Sequence, residues 1–182
     1  MSTDDSLLRA RAGEQKAFTA LVRKYQGSVY GLALRMMSNP HKAEELAQEV
    51  FLQLHRKLAS IESEAHLAFW LRKVTTNRAI DLLRQEPRGE VVPLEDEPDL
   101  VSEPDAEDPL LQRQLRGWLS ELEPTPRAVM LLRYQEDLDP TDIAEAMNMS
   151  IHTVKSHLKR SLATLRSRML GLSVANTSRS YE

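Results

Sequence analysis

The sequence predicts an all-α protein, two small helical domains joined by a flexible acidic linker, with a helix-turn-helix in the second. Three observations predict it. Apolar residues recur at helical spacing from residue 14 to 83 and again from 110 to 169, and no segment alternates with period two for long enough to argue a strand. Between Glu86 and Pro109, five prolines and ten acidic residues stand against a single base, Arg88. Such a segment cannot bury enough surface to offset its ordering entropy. Finally, the run from Asp139 to Met169 carries capping and turn residues where two short-linked helices need them. The expected organisation is a helical domain over 1–86, a linker over 87–109, a second domain over 110–170 and a flexible tail over 171–182.

Thr3 or Asp4 can cap a short first helix ending near Gly13. A long helix is expected from Glu14 to about Met37, with Phe18, Leu21, Val22, Tyr25, Val29 and Leu32 at helical spacing. Ser38-Asn39-Pro40 is a stop and restart, in which Asn39 caps and Pro40 takes the first helical position. The third helix runs to about Leu58 and buries Ala43, Leu46, Ala47, Val50, Leu54 and Leu58. Glu44 and Glu45 are expected in its first turn and His55, Arg56 and Lys57 in its last, matching the helix dipole. Ser60 to Ala65 reads as a loop, and a fourth helix extends to about Gln85. On that helix Lys73, Asn77 and Arg84 share a stripe beside Trp70. Basic and amide side chains next to an aromatic can hold phosphates and bond or stack an unpaired base. On the residues alone, a core Trp70 and a solvated polar face fit as well.

After the linker, Leu111, Leu115, Trp118 and Leu122 form one stripe. Thr125 is placed as the cap of the next helix, with Pro126 opening it. Asp139 can cap a short helix opened by Pro140, with Asp142 adding a carboxylate to its first turn. Asn148 tolerates the left-handed conformation a tight turn needs. Ser150 can cap a second helix, on which Ile151, Val154, Leu158, Leu162, Leu165 and Met169 fall within about 80°. The opposite side carries His152, Ser156 and Arg160, flanked by Lys155 and Lys159. An amphipathic second helix with a basic outer face is the helix-turn-helix pattern, and a plain helical hairpin is the alternative.

The chain has 182 residues, enough for one or two small domains, and no cysteine, which excludes disulfides and thiolate metal sites. No run of about 18 apolar residues is present, so a soluble, cytoplasmic protein without membrane contact is expected. The net charge is −3, from 24 basic and 27 acidic residues. Outside the linker the counts are 24 − 1 = 23 and 27 − 10 = 17, a net of +6. The five histidines make no HExxH pattern and no glycine-rich phosphate loop exists. No enzymatic role, metal or cofactor is expected.

The order of parts is the most specific signal. AEELAQEVFLQLHRKL, then FWLRKVTTNRAIDLLR, then an acidic linker, then DIAEAMNMSIHTVKSHLKRSLATLR resembles the extracytoplasmic-function (ECF) sigma factors of bacterial RNA polymerase, over about Glu14 to Leu170. The resemblance implies that the first domain binds core polymerase and recognises the −10 element, while the second reads −35. It places Glu45, Gln48 and Glu49 on the β′ clamp helices. It places Asn77 on a flipped −10 base, with Ile61 and the Ser60–Ala65 loop completing that pocket; Lys73 and Arg84, which share the stripe of Asn77, are expected on the −10 DNA with it. Lys155, Ser156, Lys159 and Arg160 fall where the family meets −35 DNA, and His152 beside them either adds a contact there or simply improves the helix. His152 and Asn148 stand where glycines are common in the family. Core polymerase and promoter DNA are the implied partners, and an anti-sigma factor is a further one. A plain helix-turn-helix regulator would have no need for a third helix carrying Glu45, Gln48 and Glu49 outward, and a sequestered interaction protein of the anti-sigma circuitry would have no need for the basic recognition face.

Overall fold

Gly13 and Ser38 make the first two reversals of the chain. In the computed structural model, which describes residues 3–85 and 109–179, the chain forms two separate helical units. The N-terminal unit contains α1 (Thr3–Arg11), α2 (Gln15–Met37), α3 (Pro40–Lys57), a 3-10 turn at Leu58–Ser60 and α4 (Glu64–Gln85). Gly13, at φ +91°, takes a conformation that side chains resist, and the amides of Gly13 and Glu14 return to Ala10 and Arg9 carbonyls at 3.0 Å. Ser38, left-handed at φ 52°, ends α2, and Asn39 Oδ1 accepts from the Lys42 amide at 3.1 Å to start α3. Leu21, Leu32 and Met36 of α2 meet Leu46, Val50 and Leu54 of α3 and Leu67 and Leu71 of α4 in the core, with Leu7 of α1 also buried.

The start of α4 is fixed by its neighbours. Ser63 Oγ accepts from the His66 amide at 3.1 Å, and the Glu64 carboxylate accepts from Lys24 Nζ and, at 3.1 Å, from the Tyr25 hydroxyl of α2. The loop expected over 60–65 is therefore shorter, because a 3-10 turn fills one end and the capped helix the other. Glu44 and Glu45 do not sit in the first turn of α3, which holds no acid; Pro40 begins the helix, so both fall just past that turn.

The C-terminal unit contains α5 (Pro109–Ser120), α6 (Pro124–Tyr134), α7 (Pro140–Ala146) and α8 (Ile151–Arg179). The expected cap at Thr125 is displaced: Glu123 precedes α6 and Pro124 takes the first position. Pro126 still fits, since the first-turn amides have no partner within the helix. Arg127 is buried and its Nη2 donates to the carbonyls of Ser120 and, at 3.1 Å, of Leu122, satisfying the end of α5. Burial holds its pKa below the usual arginine value. Val129, Leu131, Leu132, Ile143 and Val154 form the core, while Leu111 and Leu115 of α5 remain exposed. The expected flexible tail after Leu170 is helical to Arg179, because no proline interrupts it and one glycine weakens a helix without stopping it. The expected linker lies outside the described residues, except for Pro109, which opens α5.

The hydroxyls of Thr75 and Thr76 on α4 are buried with no hydrogen-bond partner. A buried hydroxyl without a partner is unfavourable, and valine has the same shape. Thr75→Val is expected to leave stability unchanged or raise it by about 1 kcal/mol. Thr75→Ser, which keeps the hydroxyl and opens a methyl-sized gap, should lower it by a similar amount. Urea denaturation of the three chains checks both signs.

Candidate functional site

In the N-terminal unit, α4 carries the sequence-predicted stripe. Lys73 and Asn77 are half-buried and Arg84 is exposed, all within an arc of about 40°, with half-buried Trp70 at its edge. Trp70 thus packs on one side and offers its other side to solvent. Ile61 does not belong to the accessible surface. It is 0 % exposed, and its amide bonds the Leu58 carbonyl at 3.2 Å, so its side chain anchors the turn from beneath. It shapes the loop next to α4.

On α3, Glu45 and Gln48 are exposed, as the helical phase requires. Glu49 is half-buried and already engaged. Arg78 Nε on α4 donates to its Oε1 at 2.8 Å and Oε2 at 3.0 Å, and Gln53 Nε2 donates to Oε1 at 3.3 Å. The sequence does not reveal this pairing, because nothing in the spacing of residues 49 and 78 brings them together before α3 and α4 pack. Leu52 was also missed. It is 62 % exposed and lies in the same outward arc as Glu45 and Gln48. A leucine among polar wheel positions is the signal that could have found it.

In the C-terminal unit the turn is built as its residues demand. Asp139 Oδ1 accepts from the amides of Thr141 at 2.7 Å and Asp142 at 3.0 Å. Asn148 is left-handed at φ 49°, and Ser150 Oγ accepts from the Thr153 amide at 3.1 Å to start α8. The packed side of α8 is rotated from the apolar stripe. Val154, Ser161 and Leu165 are buried, whereas Leu158 and Leu162 are half-buried and Ile151 and Met169 exposed. The rotation brings His157 partly under cover, and burial, then Arg160, holds its pKa below the usual histidine value. It also centres the outer face on His152, Ser156 and Lys159, with Lys155 and Arg160 on either flank. His152, Lys155, Lys159 and Arg160 are exposed and Ser156 half-buried; Arg160 Nε reaches back to the Ser156 carbonyl at 3.3 Å. The face therefore presents three cations and an imidazole on one rigid helix, suited to phosphates and base edges.

Among the described residues no cluster of three or more metal-ligating side chains exists, and no helix is long and apolar enough to cross a membrane.

Comparison with known proteins matches both units. Residues 21–89 fit the family model Sigma-70 region 2, and residues 112–165 fit Sigma-70, region 4. The RNA polymerase sigma-E factor of Streptomyces avermitilis is 31 % identical over 85 % of this chain and 86 % of its own length. The chain belongs to the ECF sigma factors. The ECF RNA polymerase sigma factor SigW of Bacillus subtilis is 28 % identical, covering 90 % of this chain and 95 % of the relative. A solved structure, CnrH in complex with the cytosolic domain of CnrY, shares the fold with a TM-score of 0.67 at 17 % identity, over 93 % of this chain and 99 % of that one. Like its relatives, this sigma factor directs RNA polymerase.

The two backbone hydrogen bonds to Asp139 hold its pKa below the ordinary aspartate value of 3.8. Because the folded value is depressed, the carboxylate contributes stability above 3.8 and that contribution is lost as pH falls below it toward the folded value. Asp139→Asn keeps a cap acceptor with no charge to titrate. Its melting temperature should fall less steeply than that of the wild type over this acid window. Asp139→Ala should lower the melting temperature at neutral pH as well. Thermal melts across the window check both.

Proposed function

We propose that this sigma factor docks on the β′ clamp helices of core polymerase through α3, holds the −10 non-template strand on α4 and reads the −35 element with α8. The observation that carries this reading is α8: a capped, sharply turned helix whose packed side is apolar and whose opposite side exposes Lys155, Lys159 and Arg160. Duplex DNA would be held through its phosphates and through base edges in the major groove. On α4, Asn77 would hold an extruded base between Lys73 and Arg84, and capturing an unstacked base favours strand separation without fuel. On α3, Leu52 would supply an apolar anchor inside a polar rim of Glu45 and Gln48. The chain itself performs no chemistry; polymerase does, and this subunit selects where it starts. It works in the cytoplasm, where polymerase and promoter DNA are, and an anti-sigma factor that covers these faces would silence it.

Purified chain added to core polymerase should give transcription from a specific start, and Glu45→Lys with Leu52→Ala should weaken co-purification with core without loss of helical content. At −35, Arg160→Ala should cost about 1–3 kcal/mol at one base position and relax preference there. Lys155→Ala should instead weaken binding to all sequences alike and lower the salt slope by about one. Asn77→Ala should spare duplex −35 binding yet impair opening at −10, read by permanganate footprinting. Equal losses across a panel of single-base variants for Arg160→Ala would leave that residue only an electrostatic role. Specific duplex binding with no effect of core polymerase would instead favour a plain helix-turn-helix regulator.

A further inference from the structure

We propose that Arg78 is a phosphate contact of the bound single strand, and that Glu49 holds its charge neutral until polymerase draws the Glu49 carboxylate away. The proposal rests on the reading of α3 as the docking face. It starts from where the two side chains sit. Glu49 belongs to the helix that carries Glu45, Gln48 and Leu52, and Arg78 follows Asn77 directly on the helix that carries Lys73 and Arg84. The pair therefore joins the two faces, and it lies at the surface, with side chains 37 % and 35 % exposed.

An ion pair this exposed contributes little to stability, so holding α3 to α4 does not account for it. The same exposure leaves both partners within reach of a third group. The bonds to Glu49 use Arg78 Nε alone, at 2.8 and 3.0 Å, which leaves the outer Nη edge of the guanidinium to fork onto a phosphate. Arg78 lies about 100° around α4 from Asn77, on the side of the stripe nearer α3, within reach of the next phosphate along a strand held there. What limits it is the carboxylate, whose full negative charge cancels most of the field a phosphate would feel beyond the pair. Glu49 can neutralise Arg78 or serve a cation on polymerase, and each use weakens the other. Docking would then raise the attraction of α4 for the strand, and by linkage a bound strand would raise the affinity for polymerase.

The test uses the full chain, a fluorescently labelled single-stranded oligonucleotide and a range of salt concentrations, first without and then with core polymerase. In the free chain, Glu49→Gln should raise affinity several-fold and steepen the salt slope by about 0.7, the value for one added single-strand phosphate contact. Adding Arg78→Gln to that variant should abolish the gain. In the polymerase-bound form, Arg78→Gln alone should flatten the slope by about the same amount. Thermal melts of each variant identify any that fails to fold, and Arg78→Lys, which keeps the charge, should retain most of the slope. An unchanged slope for Glu49→Gln in the free chain, or for Arg78→Gln in the bound form, overturns the proposal. Core affinity is titrated separately for Glu45→Lys and Glu49→Gln. If neither changes it, the docking reading fails, and with it the claim that polymerase is what removes Glu49, whatever the slopes show.

Discussion

Every helix leaves peptide groups unpaired at both ends, and the way they are satisfied decides where this chain turns. Asn39, Ser63, Asp139 and Ser150 each lend a side-chain oxygen to the first amides of a helix. Gly13, Ser38 and Asn148 take the left-handed conformation at or near the other ends. Arg127 serves the end of α5 from a distance, by carrying a buried N–H donor to the carbonyl of Ser120, its last residue, and to that of Leu122 just beyond. The apolar faces then fall together because the turns have already fixed how the helices enter. The side chains that these helices carry inherit that precision. Asn77 sits on a helix whose first turn is tied to α2, and the outer face of α8 begins directly after its cap.

Features that depend on neighbours in sequence were legible from sequence. The caps at Asn39, Asp139 and Ser150, the left-handed Asn148 and the stripe of Lys73, Asn77 and Arg84 all follow from local chemistry and from 3.6 residues per turn. Features that depend on which helices meet were not. The apolar stripe of α8 indicated a packed side about 40° away from the one the structure buries, which takes in Ser161 between Val154 and Leu165. Thr125 looked a better cap than Glu123, yet Pro124 already fixes the backbone for a helix start two residues earlier than Pro126 would. The burial of Ile61 likewise depends on how the helices meet: it lies in a short loop of the sequence, and its side chain goes to the core.

The two faces differ in how they can tolerate change. The cations of α8 protrude from a helix whose opposite side alone is packed, so their identity is nearly independent of the fold. On α4 the stripe is interleaved with Thr75, Thr76, Ala79 and Ile80, all buried, so a residue added or removed there would rotate core and contact surface together. A substitution on the outer face of α8 therefore leaves the core untouched, whereas a shift of register on α4 does not.

The turn between α7 and α8 has a kinetic meaning as well. The hydrogen bonds of the turn and of the caps on its two helices span at most five residues: Asp139 to Thr141 and Asp142, Met149 to Ala144, and Ser150 to Thr153. Closing such short loops loses little chain entropy and takes far less than a microsecond, so the hairpin can form before the rest of its unit has collapsed. The helix-turn-helix of this sigma factor can in this way be rebuilt from local sequence alone whenever its unit unfolds.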